Sequence, residues 1–178
     1  MKRNILFMMG LVFFALPQLL FAQPNSASVR LNINLSQVQS LTVNESQSQV
    51  DLNFSRREDY RNGVNINEPN HLSVFSSGRF VVKVSTQGNF TGNDNKSIPA
   101  STVAITPFAT GGVTEVPGMV TGNRVKLSPR EPRTIIKSPT HGTIATSFDV
   151  LYTASGAGYA LLDNGTYSGT VVYTIEVE

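Results

Sequence analysis

The chain has no cysteine, no tryptophan, only two histidines and just 12 acidic residues among 178. Without cysteine there can be no disulfide, thiolate nucleophile, cysteine-bound metal or lipid-modified N-terminal cysteine. The fold must be held by apolar packing and sheet hydrogen bonds. Without tryptophan the best aromatic platform for a sugar ring is missing, and Tyr152, Tyr159, Tyr167 and Tyr173 mostly occupy apolar strand positions. Phosphate-cradling glycine loops, dinucleotide fingerprints and basic–aromatic nucleic-acid motifs are absent too. A helical period is nowhere sustained beyond the first 22 residues.

Few groups remain that could carry chemistry. His71 lies in Asn67-Glu68-Pro69-Asn70-His71, read as a turn entering a strand, and His141 in the loop Pro139-Thr140-His141-Gly142. Neither belongs to a nucleophile elbow or a zinc-binding helix. Both are expected to be solvated loop residues or hydrogen bonders at a strand edge. The stretch Asn89 to Asn95 holds a single carboxylate, Asp94. Calcium favours several oxygen ligands, usually with more than one carboxylate, so a polar surface turn is expected. Two of the few acids could still converge in space for glycoside hydrolysis, which makes a hydrolase the remotest reading. No catalytic residue, metal ligand or cofactor is assigned.

What is present begins with an export pattern. Lys2 and Arg3 precede the apolar run Ile5 to Leu16, and Ala22 is a suitable cleavage residue. The run is broken by Pro17 and Gln18, short of the roughly 20 apolar residues that span a bilayer. Residues 1–22 are therefore expected to be a signal peptide and 23–178 one exported domain, placed in the periplasm, at the cell surface or outside the cell. No membrane span is expected after signal removal. Loss of Lys2 and Arg3 brings the 14 basic residues level with the 12 acidic ones, so overall charge gives no reason to expect a nucleic-acid partner. Charge is nonetheless uneven. Arg124, Lys126, Arg130, Arg133 and Lys137 face only Glu131 within 123–137, whereas Asp149, Asp163, Glu176 and Glu178 follow without a base. The simpler expectation is that these blocks pair within one molecule; the alternative is a surface that orients one subunit against the next.

Alternation of period two dominates the rest. Val29, Leu31, Ile33 and Leu35 alternate with polar residues, as do Val50, Leu52 and Phe54. Strands are also expected around Leu72–Phe75, Phe80–Val84, Val103–Ile105, Val125–Leu127, Ile135-Ile136, Phe148–Tyr152 and Tyr159–Leu162. The last, with Val171, Tyr173, Ile175 and Val177 on one face, is the clearest. Arg56 to Arg61 is read as a single helical turn or a charged loop. Asn62-Gly63, Gly78, the polar stretch 88–99, the glycine-rich stretch 107–122, residues 155–158 and Asp163-Asn164-Gly165 supply turns. About nine or ten short strands at such spacing indicate an all-β, immunoglobulin-like antiparallel β-sandwich.

The ending Asn164-Gly165-Thr166-Tyr167-Ser168-Gly169-Thr170, followed by the alternating strand to Val177, resembles the endings of small exported bacterial β-sandwich proteins of an uncharacterised secreted domain family. More distantly, it is similar to subunits of spore-coat-U-like and common-pilus-like fimbriae. The resemblance implies a non-enzymatic structural or interaction module, pilin-like subunits included, whose partners are copies of itself or other surface proteins. Such subunits frequently carry a cysteine pair, which this chain lacks. In donor-strand assembly an alternating segment adds a strand to a neighbour's sheet, and Val29, Leu31, Ile33 and Leu35 have the required pattern. The simpler reading makes them the first strand of their own domain. A runner-up function is a small carbohydrate- or ligand-binding module using loops at one end of the sandwich.

Overall fold

The structure is a computed structural model that describes residues 26–92, 96–110, 118–156 and 158–178. The expected signal peptide lies outside these residues, as do Asp94 and the glycine-rich centre 111–117. The chain divides into two units, residues 1–34 and 35–178.

In the larger unit the strands are β1 (Gln39–Val43), β2 (Val64–Ser76), β3 (Phe80–Thr86), β4 (Phe90–Thr91), β5 (Ser97–Ile98) and β6 (Val103–Ala109). They continue with β7 (Val125–Lys126), β8 (Arg133–Ser138), β9 (Thr143–Ala154) and β10 (Val171–Val177). One helical turn and a half, α1 (Arg57–Asn62), precedes β2. One sheet runs β1-β2-β9-β6-β7, a second runs β10-β3-β8, and β4 pairs with β5 in a third, Thr91 of β4 also bridging Ser168. All pairings between strands are antiparallel. The all-β sandwich read from the alternation is thus the fold.

The core is a single layer between the two larger sheets. Leu72 and Val74 of β2, Phe148 and Val150 of β9, and Ile105 of β6 meet Phe80, Val82 and Val84 of β3 and Ile136 of β8. All are essentially inaccessible to water. Burying each such side chain contributes roughly 1.5–3 kcal/mol, which is how the fold stands without disulfides. Two glycines let backbones meet closely. A Cβ on Gly63 would sit 2.5 Å from the Ala154 carbonyl oxygen at a φ of +83°, where α1 ends. One on Gly142, in the β8–β9 turn, would lie 2.1 Å from the carbonyl oxygen of Ser76.

Local chemistry explains the start of α1. The Asp59 carboxylate accepts from the backbone N–H groups of Ser55 and Arg56, and these bonds hold its pKa below the ordinary value. The strand expected at Tyr159–Leu162 is instead a 3₁₀ turn over Tyr159–Leu161, entered through Gly158 at φ +87°. Val50, Leu52 and Phe54 are half-buried against the core, yet their segment joins no ladder. Phe54 is held by ring contacts with Tyr60 and Tyr159.

Candidate functional site

The last strand ends its sheet. β10 pairs with β3 from Val171↔Thr86 to Val177↔Phe80, and among the described residues nothing pairs with its other side. Directly opposite residues share a sheet face, so Val171, Tyr173, Ile175 and Val177 point inward like Thr86, Val84, Val82 and Phe80. The β3 members of these pairs are buried, whereas Val171, Tyr173 and Ile175 are only half-buried and Val177 is exposed. Such an edge presents free backbone donors and acceptors that other chains can pair with. The opposite edge of this sheet is partly covered, because Val120 and Lys137 of β8 exchange backbone hydrogen bonds of 2.8 and 3.0 Å.

In the smaller unit, residues 26–34 belong to no strand or bridge. The expectation of a first strand at Val29–Ser36 is therefore not met. Val29, Leu31 and Ile33 are 91, 81 and 76% exposed, and Leu35 of the larger unit is 92% exposed. An extended segment becomes a strand only by pairing, and here the alternation has no ladder to join.

A polar chain crosses the sandwich beside β10. His71 is 2% exposed, which corrects its expected placement as a solvated or edge residue. The reason is a bulge: β2 advances from Glu68 to Leu72 while β9 advances only from Val150 to Phe148. Asn70 takes a φ of 50°, and its N–H donates to the Asp149 carboxylate at 2.8 Å. This turns His71 inward. The Gln47 amide nitrogen donates to the Pro69 carbonyl at 2.9 Å, so its oxygen accepts from His71 Nδ1 at 3.0 Å. His71 Nε2 then accepts from the Tyr152 hydroxyl at 2.8 Å, and Tyr152 accepts from Tyr173 of β10 at 2.6 Å. Every bond in the relay runs in one direction and every group is neutral.

Burial lowers the His71 pKa from 6.5 and pushes the Tyr152 hydroxyl up to about 12. It raises Tyr173 as well. Burial thus favours the uncharged form of each group in the relay. A consequence for stability follows. The native state binds this proton less readily than the unfolded chain, so the His71 contribution is complete above the unfolded pKa. It is lost as pH falls below that value towards the lower native one. Denaturant midpoints should fall between about pH 7 and about pH 5, and His71→Gln should flatten that part of the profile. An unchanged wild-type midpoint would contradict the neutral relay.

His141 is exposed in its loop, with Nδ1 2.7 Å from the Thr140 hydroxyl. Among the described residues, no three of His, Asp and Glu group closely enough to hold a metal ion. No helix is long and apolar enough to cross a membrane among them. Among the described residues, the two charge blocks pair only through Lys137 and Glu178. Compared with known proteins, the chain matches no family model and no curated sequence. What it does must be read from its surfaces.

Proposed function

We propose that the protein is an exported, non-enzymatic structural module that assembles through strand addition, as a pilin-like subunit does. One observation carries this reading: the chain holds both halves of an unmade strand pair. Residues 29–35 offer four exposed apolar side chains at the period of a strand and have no ladder of their own. β10 offers a free edge of seven residues whose inward side chains are incompletely covered. Seven residues of extended chain match that edge in length, at roughly 3.3 Å each. Placed along β10 of another copy, Val29, Leu31, Ile33 and Leu35 would cover Val171, Tyr173, Ile175 and Val177, while backbone bonds extend the β10-β3-β8 sheet. The partner is a second copy of this chain, or another surface protein with the same open edge.

A synthetic peptide of residues 26–36 tests the pairing directly. Added in excess to the purified chain, it should bind, raise the melting temperature and shift the size distribution towards monomers. A peptide with Leu31 and Ile33 replaced by Asp should do neither. A chain that stays monomeric at high concentration and ignores the peptide would refute strand addition.

A further inference from the structure

We infer that the groove lined by Arg124, Lys126, Arg130 and Arg133 is a binding site for an acidic polysaccharide. The groove has a volume of about 680 Å³ and lies where β7 and the β7–β8 turn meet the 3₁₀ turn Ala100–Thr102. Its four cationic side chains are accompanied by no acidic and no aromatic lining residue. The acids that could have neutralised them are committed elsewhere. Glu178 pairs with Lys137, Glu176 with Lys83 and Asp163 with Lys96. Asp149 accepts from the Asn70 N–H and the Thr110 hydroxyl. Among the described residues, Arg124, Lys126 and Arg130 have neither an ion pair nor a side-chain hydrogen bond. Arg133 has only Glu131, at 3.9 Å with both side chains largely exposed, a pairing of little strength.

The backbone of the site is also preformed. The Ser128 hydroxyl oxygen accepts from the backbone N–H groups of Arg130 and Glu131, both at 3.2 Å, and Pro129 and Pro132 stiffen the same turn. Thr86 N–H donates to the Ser128 carbonyl, and Leu127 N–H to that of Val103. These bonds fix the cation-bearing backbone to β3 and β6, so a ligand has to order only the side chains and not the turn that carries them.

The lining chooses the ligand class. Four cationic side chains on one open groove suit a partner that repeats its charge. Single-stranded nucleic acid is held by base stacking on aromatic rings in addition to charge, and no ring lines this groove. A glycan with sulfate or carboxylate groups supplies repeated charge without bases to stack, and arginine engages both groups through paired N–H donors. The groove is lined from β7 and from Arg133 of β8, and β8 lies at the far end of the three-stranded sheet from β10, so it is independent of strand addition.

The test titrates the purified chain into labelled heparin oligosaccharide and labelled oligogalacturonate at about 50 mM salt, with dextran and a single-stranded oligonucleotide of matched charge beside them. At least one acidic glycan should bind and dextran should not, with affinity falling at least about ten-fold by about 200 mM salt, as charge-driven binding does. The variant R124Q/K126Q/R130Q, whose changes are all at exposed positions, should bind at least about ten-fold more weakly with an unchanged melting temperature. Lys96→Gln, which lies outside the groove, should bind like the wild type. The site is overturned if neither acidic glycan binds, or if the triple variant binds as well as the wild type. Binding of the oligonucleotide as tightly as either glycan would overturn the ligand class.

Discussion

Replacing Phe148 with alanine should lower the unfolding free energy by about 3–5 kcal/mol, the usual cost of emptying a large aromatic site in a packed core. Phe148 sits on β9, between Leu72 of β2 and Ala109 of β6 in register, and is completely buried. It therefore belongs both to the middle of the five-stranded sheet and to the layer between sheets. Domains of this size have only about 5–15 kcal/mol in total, so Phe148→Ala should shift the denaturation midpoint strongly and Phe148→Asp should prevent folding. Ile144 on the same strand is 86% exposed, and Ile144→Ala should leave the midpoint within about 0.5 kcal/mol of wild type. Equal effects of Phe148→Ala and Ile144→Ala on denaturant unfolding would mean that the core is not where these sheets meet.

Legibility in the sequence followed local chemistry. The inward faces of β3, β6, β9 and β10 were readable because strict alternation of apolar residues has one structural meaning when one face is covered. The short helix at Arg57–Asn62 was foreseeable as a helical turn or a charged loop, and Asn62-Gly63 as a turn. β1 was not foreseen, since Leu41 alone supplies its inward contact with the core. His71 was misplaced because the bulge that turns it inward depends on Asp149, distant in sequence, accepting from the Asn70 N–H. The basic block was expected to pair with the acids that follow it, and among the described residues only Lys137 pairs with one of them. Which acids were already engaged by Lys83 and Lys96 is a property of sheet register and loop placement. Ile175 was expected on the inward face of the last strand, and its depth differs from that of Phe148. It is only half-buried because β10 is an edge. Alternation reports which side chains share a face. It does not report whether a further strand lies beyond.

That distinction gives the proposed strand addition its sharpest consequence: if it operates, Leu31→Asp combined with Ile33→Asp should abolish polymers while leaving the folded domain as stable as before. Both side chains lie in residues 1–34 and are exposed, so the change removes no buried contact. In an added strand the same residues would be covered, each contributing roughly 1.5–3 kcal/mol, and a carboxylate in their place would be desolvated without a partner. Ordering seven residues opposes docking by about 1–2 kcal/mol each, a cost of the same order as the gain from four buried side chains, so losing two of them tips the balance. Size-exclusion chromatography and electron microscopy should show wild-type oligomers that grow with concentration and a double variant that remains monomeric. Denaturant unfolding of the monomeric variant should match that of the wild type at dilution. Polymers formed equally well by the double variant would remove residues 29–35 from the interface, and a destabilised monomer would show that this segment belongs to its own domain's fold.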